Sequence, residues 1–256
     1  MWGELALEAQ AEYFELLATV GEVRRADGVL AVCTGVFSNT ENGVVANSAD
    51  EETIVELRDW FEVRGAPASW IALEPAEELL DLLVRAGCRP DRSHVVMGAR
   101  LETLELSEPQ STVEIVSDED ALDDWLSIGE PCGVISEPGD VEAVRRVALG
   151  IGMGGDGPLV RYLARRQGRP VGVAEAFYGR HTASLQHVGV LDAERRRGIG
   201  RALAVARLLD ARRRGYETAV LGPSAEGQLL YESLGFTLEP GPPDRWFYLP
   251  VNPAGP

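Results

Sequence analysis

The segment Arg195–Gly200 has the sequence RRRGIG and lies where a predicted strand is followed by a predicted helix. A helix start presents unpaired backbone N–H groups and the positive end of the helix dipole, and glycines let a ligand approach the backbone closely. Arginine side chains add charge-assisted hydrogen bonds to phosphate oxygens. The segment therefore predicts a pyrophosphate-binding loop. The alternative is a glycine-rich helix start whose arginines are only solvated.

A second pattern follows, thirty-one positions after Gly200. Tyr231 lies in a predicted helix that ends at Gly235, and Phe236 opens the next predicted strand. A tyrosine hydroxyl on such a helix can donate a proton to a leaving group. The alternative for Tyr231 is a core aromatic side chain whose hydroxyl reaches the surface.

Together the two patterns resemble the GNAT superfamily of acyl-CoA-dependent N-acetyltransferases. Arg195-x-x-Gly198-x-Gly200 matches the family's R/Q-x-x-G-x-G/A loop, and Leu230-Tyr231 followed by Gly235-Phe236 matches its second signature. The resemblance is specific over residues 111–256 and only architectural over residues 1–105. It implies a GNAT-like α+β fold, with helices flanking a mixed, mostly antiparallel sheet. It also implies acetyl-CoA as cosubstrate, with no metal.

The resemblance assigns roles to individual residues. Val188 and Val190 would lend backbone groups to the pantetheine arm and the thioester carbonyl, and Tyr231 would protonate the departing CoA thiolate. Many family members have asparagine near the start of the last helix, where this chain has Ser224. The implied acetyl-CoA contacts are Val188, Gly189, Val190, Arg195, Arg196, Arg197, Gly198, Ile199, Gly200, Arg201, Ser224 and Tyr231.

The reaction also needs a base to deprotonate the acceptor amine. Strict alternation along residues 183–190 predicts two faces of the strand. One face has Ser184, Gln186, Val188 and Val190, and the other has Leu185, His187 and Gly189. Several family members carry their base at positions matched here by Ser184 and Gln186, neither of which is a base. Gln186 could orient a water molecule. Glu175 on the preceding strand and His187 are the other candidates, although alternation turns His187 away.

The segment Gly150-x-Gly152-x-x-Gly155 fits the dinucleotide fingerprint in its letters alone. That fingerprint requires a strand before it and a helix after it, whereas this segment follows a predicted helix and leads into a predicted strand. We interpret it as a mobile loop, with Met153 and Asp156 near the acyl acceptor.

Hydrophobic patterning predicts the elements that position these residues. The first half alternates strands and helices, with strands at 28–35, 44–45, 69–73 and 94–101 and helices at 50–62 and 75–86. The second half has strands at 113–116, 159–163, 170–178, 183–191, 218–221, 236–238 and 246–249 and helices at 118–127, 140–149, 198–214 and 225–234. Residues 250–256 are predicted to fray.

Two GNAT-like units in tandem are predicted from this order. Residues 1–105 form a degenerate unit without a glycine loop, residues 111–256 form the catalytic unit, and the polar segment 102–112 contains the linker. Asp50 is the predicted N-cap of the helix that would otherwise carry the loop in the first unit.

Composition limits the classes of protein and of partner. The chain has 256 residues, 45% hydrophobic and 25% charged, and no apolar run of about 20 residues, so it predicts a soluble protein of the cytoplasm without a signal peptide or membrane contact. The three cysteines are far apart and predict reduced thiols. All 24 basic residues are arginine, because the sequence contains no lysine.

The charge is uneven along the chain. The net charge is -17, and residues 1–110 hold 21 acidic residues against 8 arginines. Such a field excludes nucleic acid as partner and favours a cationic amine, although ordinary solubilising charge explains it equally. Eight arginines predict one basic patch for a small anion: Arg195, Arg196, Arg197, Arg201, Arg207, Arg212, Arg213 and Arg214.

The leading hypothesis is transfer of an acetyl group from acetyl-CoA to the primary amine of a small molecule, by a monomer or homodimer. The alternative hypothesis is a sensor that binds acyl-CoA without turnover. The sequence does not identify the acceptor amine.

Overall fold

The computed structural model describes residues 1–91, 95–107, 111–135, 137–241 and 245–249. Their backbone forms two sheets, both mostly antiparallel, with helices flanking them, so the predicted α+β class is confirmed. Within these ranges no helix is both long and apolar enough to cross a membrane.

Seven helices and thirteen strands are seen in the described ranges. The helices are α1 (Trp2–Leu17), α2 (Glu51–Val63), α3 (Glu77–Arg85), α4 (Glu119–Gly129), α5 (Val141–Ile151), α6 (Ile199–Arg213) and α7 (Ala225–Glu232). The strands are β1 (Glu22–Ala26), β2 (Val29–Cys33), β3 (Gly43–Val45), β4 (Ala68–Ile71), β5 (Arg89–Pro90), β6 (Val95–Arg100), β7 (Thr112–Ile115), β8 (Leu159–Arg166), β9 (Arg169–Tyr178), β10 (Ala183–Val190), β11 (Thr218–Leu221), β12 (Thr237–Pro240) and β13 (Trp246–Leu249).

The first sheet has six strands in the order β1-β2-β3-β4-β13-β5, of which β3 and β4 are parallel. Helix α2 begins at the predicted N-cap, since the Asp50 carboxylate accepts a hydrogen bond of 2.8 Å from the Thr53 backbone N–H. The apolar stripe of α2 is buried with Trp70 of β4 in one core. Local capping and helical periodicity therefore account for α2.

The second sheet has seven strands in the order β12-β6-β11-β10-β9-β8-β7, and β10 runs parallel to β11. The predicted hairpin is β8–β9, and its turn residues Gln167 and Gly168 both have positive φ, as a tight hairpin turn requires. Helix α6 packs on β8, β9 and β10 through its apolar side chains, among them Leu203 and Leu208. The second sheet, helix α6 and the segment that joins β10 to α6 carry every predicted CoA-binding and catalytic residue except Ser224 and Tyr231, which belong to α7 and its N-cap.

The compact units are not divided at a single point of the chain. One unit comprises residues 1–9, 95–141 and 152–239, and the other comprises residues 10–94, 142–151 and 240–256. Strand β6, from the first half, pairs with β11, and strand β13, from the second half, pairs with β4. Each sheet thus contains a strand from the opposite half, which the division at residues 105–111 did not anticipate. The tandem arrangement itself stays a prediction.

Most predicted elements are confirmed, and three are additional: β1, the two-residue strand β5 and α1. Strand β1 was not predicted because all five of its residues are exposed, so it has no apolar pattern and is held by pairing with β2. Helix α1 was also omitted, although Leu7, Phe14 and Leu17 are buried at helical spacing. The predicted strand start at His94, the linker residues 108–110 and the tail 250–256 lie outside the described residues.

From Gly152 onward the dinucleotide-like segment is the loop between α5 and β8, whereas Gly150 still belongs to the last turn of α5. Gly152 and Gly154 both have φ of 100°, in the left-handed region that favours glycine. The Gly154 N–H donates to the carbonyl of Val116, which ties the loop to the end of β7. The acceptor contacts of Met153 and Asp156 stay a prediction.

Candidate active site

Strands β10 and β11 separate soon after they begin to pair. Their register joins Ala183 with Ala219 and Ser184 with Val220, whereas β10 continues to Val190. Beyond Ser184, β10 therefore pairs with β9 on one side and with no described strand on the other, and we call this unpaired edge the opening between β10 and β11. The predicted backbone contacts of residues 188–190 would lie at this opening.

A β-bulge interrupts β10 between Gln186 and Gly189. Gln186 lies opposite Glu175, and Gly189 lies opposite Val173, so two residues of β10 face one residue of β9. The first of them, His187, has φ of 40°, a conformation that residues other than glycine rarely adopt. Such strained positions and bulges concentrate at functional sites, where they redirect a side chain.

The bulge makes the predicted faces of β10 wrong beyond Gln186. Alternation turned His187 away from Gln186, but the His187 Nδ1 lies 2.8 Å from the Oε2 of Glu175, the residue paired with Gln186. Val190, predicted to share the face of Ser184, packs against the apolar core under α6. A strand sequence fixes alternation only where the pleat is regular, and one inserted residue reverses it.

Glu175 is buried between a cation and an imidazole. Its Oε1 lies 2.7 Å from Arg161 Nε on β8, and its Oε2 contacts His187. Burial by itself raises the pKa of the Glu175 carboxyl, but the Arg161 charge and the hydrogen bond with His187 outweigh it and hold this pKa below its ordinary value. Glu175 is therefore a carboxylate at neutral pH that can orient His187.

Tyr231 is buried at the inner side of α7, with 3% of its surface exposed. Its hydroxyl oxygen accepts a hydrogen bond of 2.9 Å from Nη2 of Arg207 on α6. Its ring packs edge-on against Phe236, with 5.5 Å between the ring centroids. Because the phenol oxygen accepts from the guanidinium, the hydroxyl proton is directed to another acceptor.

Helix α6 begins without a side-chain cap. Gly198 is its N-cap with φ of 80°, and a Cβ added there would meet no neighbouring atom. A Cβ on Gly200 would lie 3.6 Å from Leu230, an ordinary contact, so packing within the chain does not require glycine at position 200. Gly198 therefore faces open space, and the first-turn N–H groups of α6 have no side-chain cap.

The eight arginines predicted as one patch do not share a surface. Four stay at the loop and the first turn of α6, whereas the later four point in other directions: Arg207 is fully buried, Arg212 donates to the carbonyls of Leu101 and Leu104, and Arg214 and the largely exposed Arg213 pair with Asp210. The prediction was wrong because residues on a helix are spread around its axis by about 100° each.

The loop arginines have exposed partners. Arg195 pairs with Asp192 and with Glu226 of α7, each at 3.0 Å, and Arg197 pairs with Glu194 at 3.3 Å. Exposed pairs of this kind are worth about 0–1 kcal/mol, so a pyrophosphate can replace the carboxylates at small cost. Arg196 has φ of 58° and, within the described ranges, forms no ion pair. Arg201 donates to Ser233 Oγ at 3.2 Å.

Ser224 is the N-cap of α7. Its hydroxyl oxygen accepts the Gly227 N–H at 3.1 Å, a local structural role that the predicted cofactor contact did not include. The hydroxyl proton can still be donated to a second group, so the two roles are compatible.

Gln186 and Gly189 flank the bulge, and they differ in whether their side-chain position has room for a further contact. The Gln186 side-chain oxygen is buried and accepts no hydrogen bond from any described residue. Gly189 lies beneath a turn, since an added Cβ would be 2.6 Å from the Cβ of Cys132. Val188, between them, is 38% exposed. A buried acceptor without a donor is a group that a bound molecule can satisfy.

Sequence reasoning missed two contacts: that of Arg207 with Tyr231, and that between Glu175 and His187. Arg207 carried a detectable signal, because it interrupts the apolar stripe of α6 four residues after Leu203 and four before Ala211. The Glu175–His187 contact had none, since it depends on a bulge that the sequence does not mark.

The family model of the acetyltransferase (GNAT) domain matches residues 159–238, which run from β8 into β12. None of the curated protein sequences matches the chain.

Solved structures resemble the whole chain. A GCN5-related N-acetyltransferase from Kribbella flavida is 17% identical, with a TM-score of 0.64 over 95% of this chain and 94% of that one. A protein of unknown function from Staphylococcus epidermidis is 15% identical, with a TM-score of 0.59 over 89% and 92%. A GCN5-related N-acetyltransferase-like protein from Streptococcus suis is 15% identical, with a TM-score of 0.53 over 94% and 98%.

At these identities the similarity establishes the fold, and the domain match establishes the family of residues 159–238. Both agree with the two motifs, which lie on α6 and α7 in the order the resemblance implied. Residues 159–238 therefore match the acetyltransferase (GNAT) domain, and the chain as a whole has the fold of the solved structures that it resembles.

Proposed function

We propose that this protein transfers the acetyl group of acetyl-CoA directly to the primary amine of a small molecule, with Tyr231 as general acid. The observation that carries the proposal is one chain of contacts. Arg207 binds the Tyr231 hydroxyl at one end of its guanidinium and the Gln186 carbonyl of the bulge at the other. The acid is thereby fixed beside the strand that would hold the thioester.

The start of α6 suits the pyrophosphate of acetyl-CoA. Its uncapped N–H groups, its two glycines and the exposed arginines at 195–197 and 201 supply backbone donors and positive charge at one place. The pantetheine arm would then run along residues 188–190 into the opening between β10 and β11. Acetyl-CoA supplies the activated acyl group in this reaction.

The chemistry requires two proton transfers. The amine loses a proton and attacks the thioester carbon, and the tetrahedral intermediate then releases the CoA thiolate. We assign the first transfer to His187, oriented by the Glu175 carboxylate, rather than to Gln186, which cannot accept a proton. Tyr231 donates the second proton to the leaving sulfur.

A small cationic amine fits the charge of the protein better than a polyanionic partner does. The net charge of -17 attracts cations through long-range electrostatics. Gln186 Oε1 is placed to accept a hydrogen bond from an ammonium or from water.

Binding without turnover is the second candidate, because Ser184 and Gln186 replace the bases that several family members carry on this strand. The two candidates differ in one measurement. A panel of primary amines, assayed by release of free thiol from acetyl-CoA, gives turnover only for an acetyltransferase.

Calorimetric titration with acetyl-CoA tests the binding site. We expect micromolar binding, about -8 kcal/mol, and at least tenfold weaker binding for Gly198→Asp, because the carboxylate occupies the anion site. Unchanged affinity in Gly198→Asp would contradict the proposed site.

Two variants control for backbone strain and for shape. Gly168→Asp introduces the same side chain at φ of 77° in the β8–β9 turn, where an added Cβ also meets no atom. It should leave acetyl-CoA affinity unchanged. Gly198→Asn keeps the shape of aspartate without its charge, and asparagine tolerates positive φ. Its affinity should lie between those of the wild type and Gly198→Asp.

A further inference from the structure

Arg207 is a buried cation, and no carboxylate of a described residue forms an ion pair with it. It is 0% exposed, and its hydrogen bonds go to the carbonyls of Leu203, Glu175 and Gln186 and to the hydroxyl of Tyr231. Every one of these partners is neutral. The other buried arginine in this unit, Arg161, pairs with Glu175 in the usual way.

A charge removed from water is expensive unless an opposite charge or several hydrogen bonds replace the water. Carbonyl and hydroxyl oxygens satisfy the donors of Arg207 but leave its charge uncompensated. A helix that only had to pack on β9 and β10 would be served by leucine or methionine at this position. The retained charge therefore calls for a function beyond packing.

The guanidinium of Arg207 connects the bulge of β10 to Tyr231, the proposed general acid. Nη1 donates to the carbonyls of Glu175 and Gln186, both at 3.0 Å, and Nη2 donates to Tyr231 Oη at 2.9 Å. A planar guanidinium presents these donors in fixed directions, so the phenol oxygen is held in register with β9 and β10. Rotation of the Tyr231 hydroxyl then moves only its proton, not its oxygen.

We propose that Arg207 is the positioning residue for Tyr231 and the counter-charge for the phenolate that the acid leaves behind. This inference rests on the proposed function. When the thioester C–S bond breaks, its electron pair goes to sulfur, and the Tyr231 O–H proton passes to that sulfur to give free CoA. The phenolate formed pairs with the guanidinium already in contact with it, which converts an uncompensated charge into an ion pair at the moment of the step.

A double-mutant cycle in kcat tests this role. Arg207→Met should lower kcat by about 10- to 100-fold and change the KM for acetyl-CoA by less than about twofold, because the residue acts on the leaving group and not on binding. In the Tyr231→Phe background the same substitution should lower kcat by less than about twofold, since its effect passes through the hydroxyl. An equal loss of kcat in both backgrounds would overturn the proposal.

Two further variants separate positioning from folding. Arg212→Met removes an arginine from the same helix that also binds main-chain carbonyls, but it does not contact Tyr231. It should lower the Tm while leaving kcat unchanged. Arg207→Lys keeps a charge and a donor for the strand carbonyls on a shorter stem, and it replaces Arg207→Met in the cycle if the methionine variant does not fold. It should lose most of kcat because one ammonium does not span the carbonyls and the phenol.

A spectroscopic measurement keeps the inference independent of turnover. In protein labelled with tyrosine carrying ¹³C at Cζ, the Tyr231 signal is assigned by its loss in Tyr231→Phe. Arg207→Lys should shift that signal, because the phenol oxygen loses a charged hydrogen-bond donor, whereas Arg212→Met should not. An unmoved signal would refute the contact even in an active enzyme. A shifted signal in a protein without transferase activity would support the contact and refute the proposed function.

Discussion

Each sheet contains one parallel pair of strands joined through a helix, and the two pairs differ in how far they stay together. Strands β3 and β4 are in register from Gly43 to Val45, and the pairing is extended by the Ala46 N–H, which donates to the Ile71 carbonyl. Trp70 Nε1 then binds the Ala46 carbonyl and closes the end. Strands β10 and β11 pair over two residues and then separate.

The helices that follow β3 and β10 also differ, because the start of α2 is closed and the start of α6 is open. The start of α2 is closed by the Asp50 cap and carries Glu51 and Glu52 in its first turn. The start of α6 has no side-chain cap and follows an arginine-rich loop. Carboxylates at a helix start satisfy its N–H groups and dipole internally, whereas an uncapped start can accept an external anion. One strand–helix–strand arrangement thus has a closed helix start in one sheet and, in the other, the open helix start at which we propose ligand binding.

The largest expected effect is on turnover and is confined to the second sheet. Tyr231→Phe should lower kcat by about 10²- to 10⁴-fold with little change in acetyl-CoA affinity, because it removes a proton donor and keeps the ring. Tyr248→Phe removes a hydroxyl from the first sheet, where it binds Asp91, and should not change kcat. Steady-state measurement of kcat for both variants tests this prediction. An equal loss of kcat in the two variants would contradict the assignment of catalysis to the second sheet.

Charge reversal at the two helix starts should give unequal results. Arg197→Glu should weaken acetyl-CoA binding by about tenfold, the worth of one charge-assisted contact. Glu51→Arg with Glu52→Arg should not create a second site, because β3 and β4 stay paired and leave no opening for a pantetheine arm. Calorimetric stoichiometry checks this. Two acetyl-CoA molecules per chain in the double variant would show that helix charge alone makes the site.

Acid should weaken the protein through two buried carboxylates, Glu175 on β9 and Asp210 on α6. Burial raises the pKa of Asp210, but hydrogen bonds from Tyr162 and Tyr178 and the Arg214 charge outweigh it, so this pKa, like that of Glu175, is below its ordinary value. A carboxylate whose pKa is lowered by folding stabilises the folded protein at pH values above the ordinary carboxyl pKa. That stabilisation is lost as the pH falls from the ordinary pKa toward the lower pKa of the folded state.

Urea unfolding at pH 7, 5 and 4 should therefore show a falling free energy of unfolding. The fall should be smaller in Glu175→Gln, whose amide does not titrate. Glu175→Gln should also be less stable than the wild type at pH 7, because Arg161 loses its buried partner. The same pH dependence in both proteins would assign the acid sensitivity to other groups.

The smallest expected effect belongs to the first sheet. Asp50→Ala removes the cap of α2 and should lower the Tm by about 2–4 °C without changing acetyl-CoA affinity. Thermal unfolding and calorimetry measure the two quantities. A change in affinity would show that α2 contributes to binding, contrary to the contrast between the helix starts.

Local features of the chain could be predicted because a few neighbouring residues are enough to determine each of them. Gly198 and Gly168 lie where the chain requires positive φ, Asp50 lies where a cap is required, and the stripes of α2 and α6 follow helical periodicity. The two motifs therefore placed the loop and Tyr231 on the observed elements. Strand β1 escaped prediction because pairing alone holds its exposed residues in place.

The sequence by itself determined most of the elements, their order and the open helix start, since capping, turn conformation and amphipathic spacing act within a few residues. Tertiary structure decided three further points: that β6 and β13 complete sheets of the opposite halves, that a bulge turns His187 toward Glu175, and that Arg207 links Gln186 to Tyr231. These points depend on strand pairing and on contacts between residues far apart in the chain. Their energy comes from partners that no local pattern identifies.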